Sequence, residues 1–250
     1  MPNITIWNEF LHETEDSEVG RICRLHYPDG IHRQIEAALT PIFPGWNFKC
    51  ATLCEPQNGL PDEVLNSTDV LVWWGHMAHH KVSDDLVAKI HMRILSGMGL
   101  VVLHSGHFSK IFQRVCGSQC ELKWREIGEK ERVWTIDPFH PIAKGIPETF
   151  VIDNTEMYGE PFGIPGDAHV VFMSWYQGGN VFRSGITLQR GAGKVFYFSP
   201  GHENLPIYHN DTVIKVIANG VNWVNPPDGV GAPPPCPNEK EPFEKVCGTH

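Results

Sequence analysis

Apolar positions in the first half of the chain recur in two rhythms. Asn3 to Asn8 (NITIWN) alternates and is β-branched, which predicts a strand. Asn8 to Val19 (NEFLHETEDSEV) is polar and acidic and predicts a loop at that strand's end. Pro28-Asp29-Gly30 opens a helix whose apolar residues Ile31, Ile35, Ala38 and Leu39 fall at helical spacing. Phe48 to Leu53 reads as a second strand. Asp69 to Trp74 is nearly continuously apolar, as suits a strand buried on both faces. Ser83-Asp84-Asp85 caps a helix running to about Ser96, with acids in the first turn where the helix dipole favours them, and Gly97-Met98-Gly99 stops it. Leu100 to Leu103 is another short buried strand, and Phe108 to Val115 the next helix.

Such alternation with short connections implies a parallel sheet covered on both faces. From Glu121 the rhythm changes. Leu122 to Ile127 and Arg132 to Ile136 predict a hairpin, and Val170 to Trp175, Val181 to Gln189 and Lys194 to Phe198 predict strands with few helices between them. A final amphipathic helix, from Asn210/Asp211 to Val224, turns Val213, Ile214, Val216, Ile217, Val221 and Val224 inward. The fold class expected is α/β, a mostly parallel sheet with additional antiparallel strands in the second half. No repeat or Pro/Ser linker interrupts 1–225, so one domain is expected there. The Pro-rich tail, 226–250, is expected to wrap the surface without regular structure.

Composition narrows the function. The chain has 250 residues, 20 basic and 29 acidic, for a net charge of −9. A hydrophobic content of 41% with 20% charged residues is that of a folded domain and excludes disorder throughout. The acidic balance and the lack of a basic run argue against nucleic-acid or anionic-membrane partners. Met1 to Glu9 has no basic patch followed by an apolar core, so no secretory signal is expected. Apolar runs such as Val70 to Trp74 fall far short of the roughly 20 residues that span a bilayer. The 7 cysteines form no Cys-x-x-Cys pair and read as reduced thiols of a cytoplasmic protein. Nothing in the composition decides for or against a homo-oligomer.

Histidine is the oddity, at 14 residues. In open parallel sheets ligands bind beyond the carboxyl ends of the strands. There the chain places Glu9, His12 and Glu13, then Gly75-His76, then His104-Ser105-Gly106-His107, then Gly201-His202-Glu203. Two chemistries fit. One is a nucleophile elbow with Ser105 at the turn, activated by His202 and oriented by Glu203 or Glu156; a helix N-cap is the plainer role for Ser105. The other is a divalent metal, zinc or similar, with three protein ligands and an open position. Its candidate ligands are His76, His104, His202 and Glu156, with His12 and His107 in reserve. Glu156 lies in a turn-rich polar stretch, Asn154 to Glu160, that reads as a loop. His26, His32, His91, His140, His169, His209 and His250 read as surface residues. The tryptophans, Trp73-Trp74 among them, suit core packing or sugar stacking. Arg183 suits a hydroxyl-rich or anionic ligand, or a strand-end ion pair.

Ile4 to Glu13 (ITIWNEFLHE), followed by Tyr27 to His32 (YPDGIH), resembles the ThuA-like (trehalose utilisation) family. Gly97 to His104, Phe139-His140-Pro141-Ile142 with Gly145-Ile146-Pro147, Glu156-Met157-Tyr158, and Gly193 to Tyr197 leading to Gly201-His202 match that family in order across nearly all of 1–225. The family is similar in fold to class I glutamine amidotransferases, so the resemblance implies a flavodoxin-like three-layer sandwich. Those enzymes carry cysteine at the elbow and end in His-x-Glu. Ser105 and the adjacent His202-Glu203 depart from both patterns and argue against glutaminase activity. The resemblance implies a role in using trehalose or a related disaccharide, in its keto form or not, alongside a sugar 3-dehydrogenase. The expectation is a metal-assisted enzyme: His104, His202 and either His76 or Glu156 hold the ion, and Glu156 or Glu160 moves the proton. His12, His107, Arg183 and Glu203 would contact the sugar. The alternatives are a metal-free hydrolase using Ser105 and His202, and a non-catalytic sugar-binding or complex-forming protein.

Overall fold

Strand β1 (Asn3–Asn8) pairs in parallel with β2 (Asn47–Thr52) on one side and β3 (Val70–Trp74) on the other, and β4 (Gly99–Leu103) continues beyond β3. Side chains alternate across a strand, so β3 sends Leu71 and Trp73 to one core and Val70, Val72 and Trp74 to the other. β4 divides likewise, Leu100 and Val102 against Val101 and Leu103. A sheet that is apolar on both faces has to be covered twice. Helices α1 (Glu18–His26) and α2 (Ile31–Leu39) cover the second face together with the C-terminal helix (Asp211–Val224). Between them in sequence, α3 (Asp62–Ser67), α4 (Asp84–Leu95) and α5 (Lys110–Cys116) cover the first face; the C-terminal helix is α6. The result is a three-layer α/β sandwich. This computed structural model describes residues 1–232, 235–242 and 244. Pro233 and Pro234 of the Pro-rich run, and His250, lie outside them.

The antiparallel half consists of β5 (Lys123–Thr135), β6 (Thr149–Gly159), β7 (His169–Tyr176) and β8 (Val181–Arg190), and β9 (Gly193–Phe198) joins it to the parallel half. The sheet runs β2-β1-β3-β4-β9-β8-β7-β5-β6, with β9 parallel to β4 and antiparallel to β8. The observed architecture is the expected α/β class built on a mixed sheet, parallel from β2 to β9 and antiparallel from β9 to β6. The predicted hairpin is absent: the two segments merge into one long strand, Lys123–Thr135, which pairs with β6 and in part with β7. Glu131 to Thr135 pair with β7, whereas Lys123 to Glu129 pair only with β6, across register shifts at Glu129. That outer part of β5 and the end of β6 form a two-stranded ribbon whose β6 strand is buried against β8 and whose β5 strand is mostly exposed.

Three further departures have local causes. The acidic stretch after β1 is not all loop: Ser17 accepts a hydrogen bond from the Gly20 amide and caps α1, which buries only Gly20 and Cys23 and so carries little apolar signal. Helix α3 is a single short piece with two buried residues, Val64 and Leu65. His32 is buried rather than on the surface, with its Nδ1 accepting from Asn8 Nδ2 at 2.9 Å, and burial lowers its pKa to about 4. Past α6 the tail turns back, with Val230 against the first core and the Gly231 amide donating to the Ser96 carbonyl at 3.1 Å. No helix among the described residues is long and apolar enough to cross a membrane.

Glu131 is fully buried in the antiparallel half. Its Oε1 accepts from Ser174 Oγ at 2.5 Å and Tyr176 OH at 3.2 Å, and its Oε2 has no hydrogen-bond partner. Burial raises its pKa to about 7 from the ordinary 4.5, against the opposing pull of the two hydroxyls. Between those values the folded chain holds a proton that the unfolded chain has released, so this group's contribution falls as pH rises through the window, by on the order of 3 kcal/mol. Glu131→Gln removes the titration. Denaturant unfolding should show the variant gaining stability on the parent from pH 5 to pH 7.5; parallel profiles would refute the assignment.

Candidate functional site

Strand order reverses at β1, with β2 on one side and β3 on the other, and ligands gather outside the carboxyl ends at such a point. The residue that turns the chain after β4 is His104, with φ 49, so the left-handed elbow position belongs to His104 and not to Ser105. Its Nδ1 donates to the Ser199 carbonyl at 3.0 Å, which leaves Nε2 facing the site. The end of β9 comes close enough that a Cβ on Gly201 would stand 2.7 Å from His104 Cβ, so glycine is required there.

Ser105 takes up neither expected role. Its Oγ pairs with Tyr158 OH at 3.0 Å rather than with His202, and the α5 cap is Ser109, which accepts from the Phe112 amide. Glu156 sits in strand β6, not in a loop, and its side chain is buried on the end of the ribbon. Its Oε2 lies 3.3 Å from His104 Nε2 and 3.9 Å from His202 Nε2, yet makes no aligned hydrogen bond. One donor atom each from His104, Glu156 and His202 fall within 4.8 Å of one another. Burial opposes charge on His104, but the adjacent Glu156 carboxylate raises its pKa on balance. Glu156 in turn is lowered, because His104 outweighs the effect of burial. Burial lowers the pKa of His202.

His76 stands apart from that trio. Its Nδ1 is 3.0 Å from His12 Nε2 and its Nε2 is 3.7 Å from Glu203 Oε2. His107 donates from Nδ1 to the Cys120 carbonyl at 2.8 Å, and burial lowers its pKa to about 3, so it faces the site as a neutral ring. Arg183 and Glu160 neutralise each other through two hydrogen bonds of 2.7 Å, and neither lines the cavity. The expected acid–base and sugar contacts at these two positions are thus replaced by the strand-end ion pair.

The cavity measures about 500 Å³, and His76, His107, Trp124, Glu126, Tyr158 and Glu203 are among its walls. Two of the groups that shape the site, Trp124 and Glu126, carry no signal in the sequence pattern, whereas Glu9 stands at the strand end where the sequence puts it. Trp124 is 66% exposed at the mouth, and Glu126, two residues further along β5, reaches His202 Nε2 at 3.5 Å. Glu9, 1% exposed, accepts from the backbone amides of His76, Met77 and Ala78 at 2.9, 3.0 and 2.9 Å. The usable signal for Tyr158 was its two-residue offset from Glu156, which puts both on one face of a strand.

Comparison with known proteins adds kinship to this geometry. Residues 22–224 match the model of the ThuA family, described as trehalose utilisation. No curated protein matches the chain. Among solved structures it resembles a ThuA-like protein from Bacteroides uniformis ATCC 8492 (14% identity, 92% of this chain and 94% of that one, TM-score 0.65). It also resembles a ThuA-like protein from Parabacteroides merdae ATCC 43184 (15% identity, 94% of each chain, TM-score 0.61). A third is a cytoplasmic protein from Salmonella typhimurium LT2 (12% identity, 89% of this chain and 99% of that one, TM-score 0.60). At these identities the likeness is one of fold.

Removing the Glu9 carboxylate leaves three amides without their acceptor. Glu9→Ala should cost about 3 kcal/mol in denaturant unfolding, and Glu9→Gln, which keeps one acceptor oxygen, distinctly less. An alanine variant as stable as the parent would show that water serves those amides equally well.

Proposed function

The chain belongs to the ThuA family of trehalose utilisation, and from that membership we propose a metal-assisted enzyme acting on a disaccharide such as trehalose or on its keto form. The observation that carries the proposal is the convergence of His104, Glu156 and His202, all buried, with Glu156 Oε2 lacking a hydrogen bond. Two imidazoles and one carboxylate are a donor set of catalytic zinc sites, which leave a further position for water or substrate. The His104 Nδ1–H to Ser199 carbonyl contact supports it, because metal-bound imidazoles are commonly held this way. His104, Glu156 and His202 would hold a divalent ion, which would supply Lewis-acid chemistry toward a sugar oxygen or a water.

The chain's own groups divide the remaining work. Tyr158 stays protonated, since burial raises its pKa well above 10, and its hydroxyl lies between Ser105 Oγ and His104 Nε2 as a hydrogen-bond donor at the cavity wall. Glu126, half-exposed in the cavity, takes the acid–base role expected of Glu160. The Trp124 indole offers a flat apolar face to a sugar ring at the mouth. The keto form would be made by a sugar 3-dehydrogenase, and we assign the cytoplasm by likeness to the Salmonella protein. A serine-based hydrolase is not favoured, because the Ser105 hydroxyl faces Tyr158 rather than an imidazole base.

Elemental analysis of the purified protein, with turnover of trehalose and its 3-keto derivative, tests the proposal. His104→Ala should lower bound zinc by about one equivalent and turnover by at least about 100-fold. Less than a few tenths of an equivalent in the parent, with no loss in the variant, would overturn it; binding of either sugar without conversion would make the protein a binding module. Trp124→Ala should raise KM roughly tenfold, or about 1.4 kcal/mol, with kcat much less affected.

A further inference from the structure

Three groups beside the first donor set remain unused, two of them buried and one half-buried. His12 is 3% exposed and Glu203 5%, and His76 lies between them with its side chain 28% exposed toward the cavity. We infer that His12, His76 and Glu203 bind a second divalent metal ion, so that the cavity presents a pair of metal sites. The inference rests on the metal-assisted reading of the first site and extends it.

The geometry repeats the first set. One donor atom each from His12, His76 and Glu203 lie within 4.8 Å of one another, again two imidazoles and one carboxylate. His12 Nδ1 and Glu203 Oε2 are buried without a hydrogen-bond partner, and buried polar atoms are seldom left so. Among the described residues, no lysine or arginine forms an ion pair with Glu9, Glu13, Glu156 or Glu203; their only ionic neighbours are histidines. The carboxyl edge thus gathers buried carboxyl and imidazole groups with no lysine or arginine paired to them.

The two sets adjoin. Glu203 Oε2 is 3.7 Å from His76 Nε2 and 3.6 Å from His202 Nδ1, and the His76 ring is centred 6.3 Å from that of His104 and 6.4 Å from that of His202. Both His76 and Glu203 line the cavity, so an ion between them keeps an open face toward substrate. Neighbouring ions suit a ligand with two adjacent oxygens, so the substrate class is a sugar diol or hydroxy-ketone.

The test is stoichiometry. The protein is stripped with chelator, reloaded with Zn²⁺ or Co²⁺, dialysed and assayed by mass spectrometry of the metal. The parent should hold two equivalents; His12→Gln, Glu203→Gln and His104→Ala one each; and the His12→Gln/His104→Ala double variant close to none. Circular dichroism of the metal-free variants verifies folding, and the isosteric Glu203→Gln serves where His12→Gln misfolds. A parent that saturates at one equivalent, unchanged in His12→Gln and Glu203→Gln and lost in His104→Ala, overturns the second site and leaves the first standing. Loss in His12→Gln but not in His104→Ala overturns the first and keeps the second.

Discussion

The Glu9 carboxylate accepts hydrogen bonds from three consecutive amides, and the remainder of the site hangs from that contact. It ties the end of β1 to the segment after β3 and so fixes where His76 stands. The neighbouring Asn8 donates to both Glu13 and His32, and Glu13 also accepts from the amide of Ile31 at the start of α2. The turn that carries His12 is thereby held from two sides. Backbone amides carry partial positive charge, so buried carboxylates here are stabilised by the fold itself before any ligand arrives.

Beneath this polar edge lie two dry cores, and the contrast sets the chemistry. Ionised groups on such a floor are poorly solvated, which is why burial lowers His76 and His107 to about 4 and about 3. His104 departs from that trend because Glu156 sits against it. Neutral imidazoles facing buried carboxylates are groups whose remaining lone pairs call for a cation or a proton.

The parallel half was legible because a strand buried on both faces leaves an uninterrupted apolar run, as in Val70 to Trp74. The histidines at strand ends were legible because topology dictates where such ends meet. Glu156 was misplaced for a physical reason. β6 is exposed at Asp153 and Asn154 and then buried on both faces from Thr155 to Gly159, so it does not alternate, and Asn154 and Gly159 resemble turn residues when read in isolation. The elbow was misassigned by one residue because a positive φ at histidine leaves no trace in composition. That His76 faces His12 instead of His104 depends on side-chain packing between segments more than sixty residues apart, and no local pattern encodes it.

The place of β9 in the sheet also bears on how the chain is made. β4 is finished at Leu103, but the strand that covers its open edge begins at Gly193. At ordinary synthesis rates that is a wait of roughly 5 to 20 seconds. Through that interval a fully apolar strand presents unpaired amides and carbonyls to the surroundings. The nascent polypeptide therefore carries a sticky flank until its last strand emerges. Yield during expression should depend on chaperone capacity and growth temperature more than the stability of the finished molecule suggests.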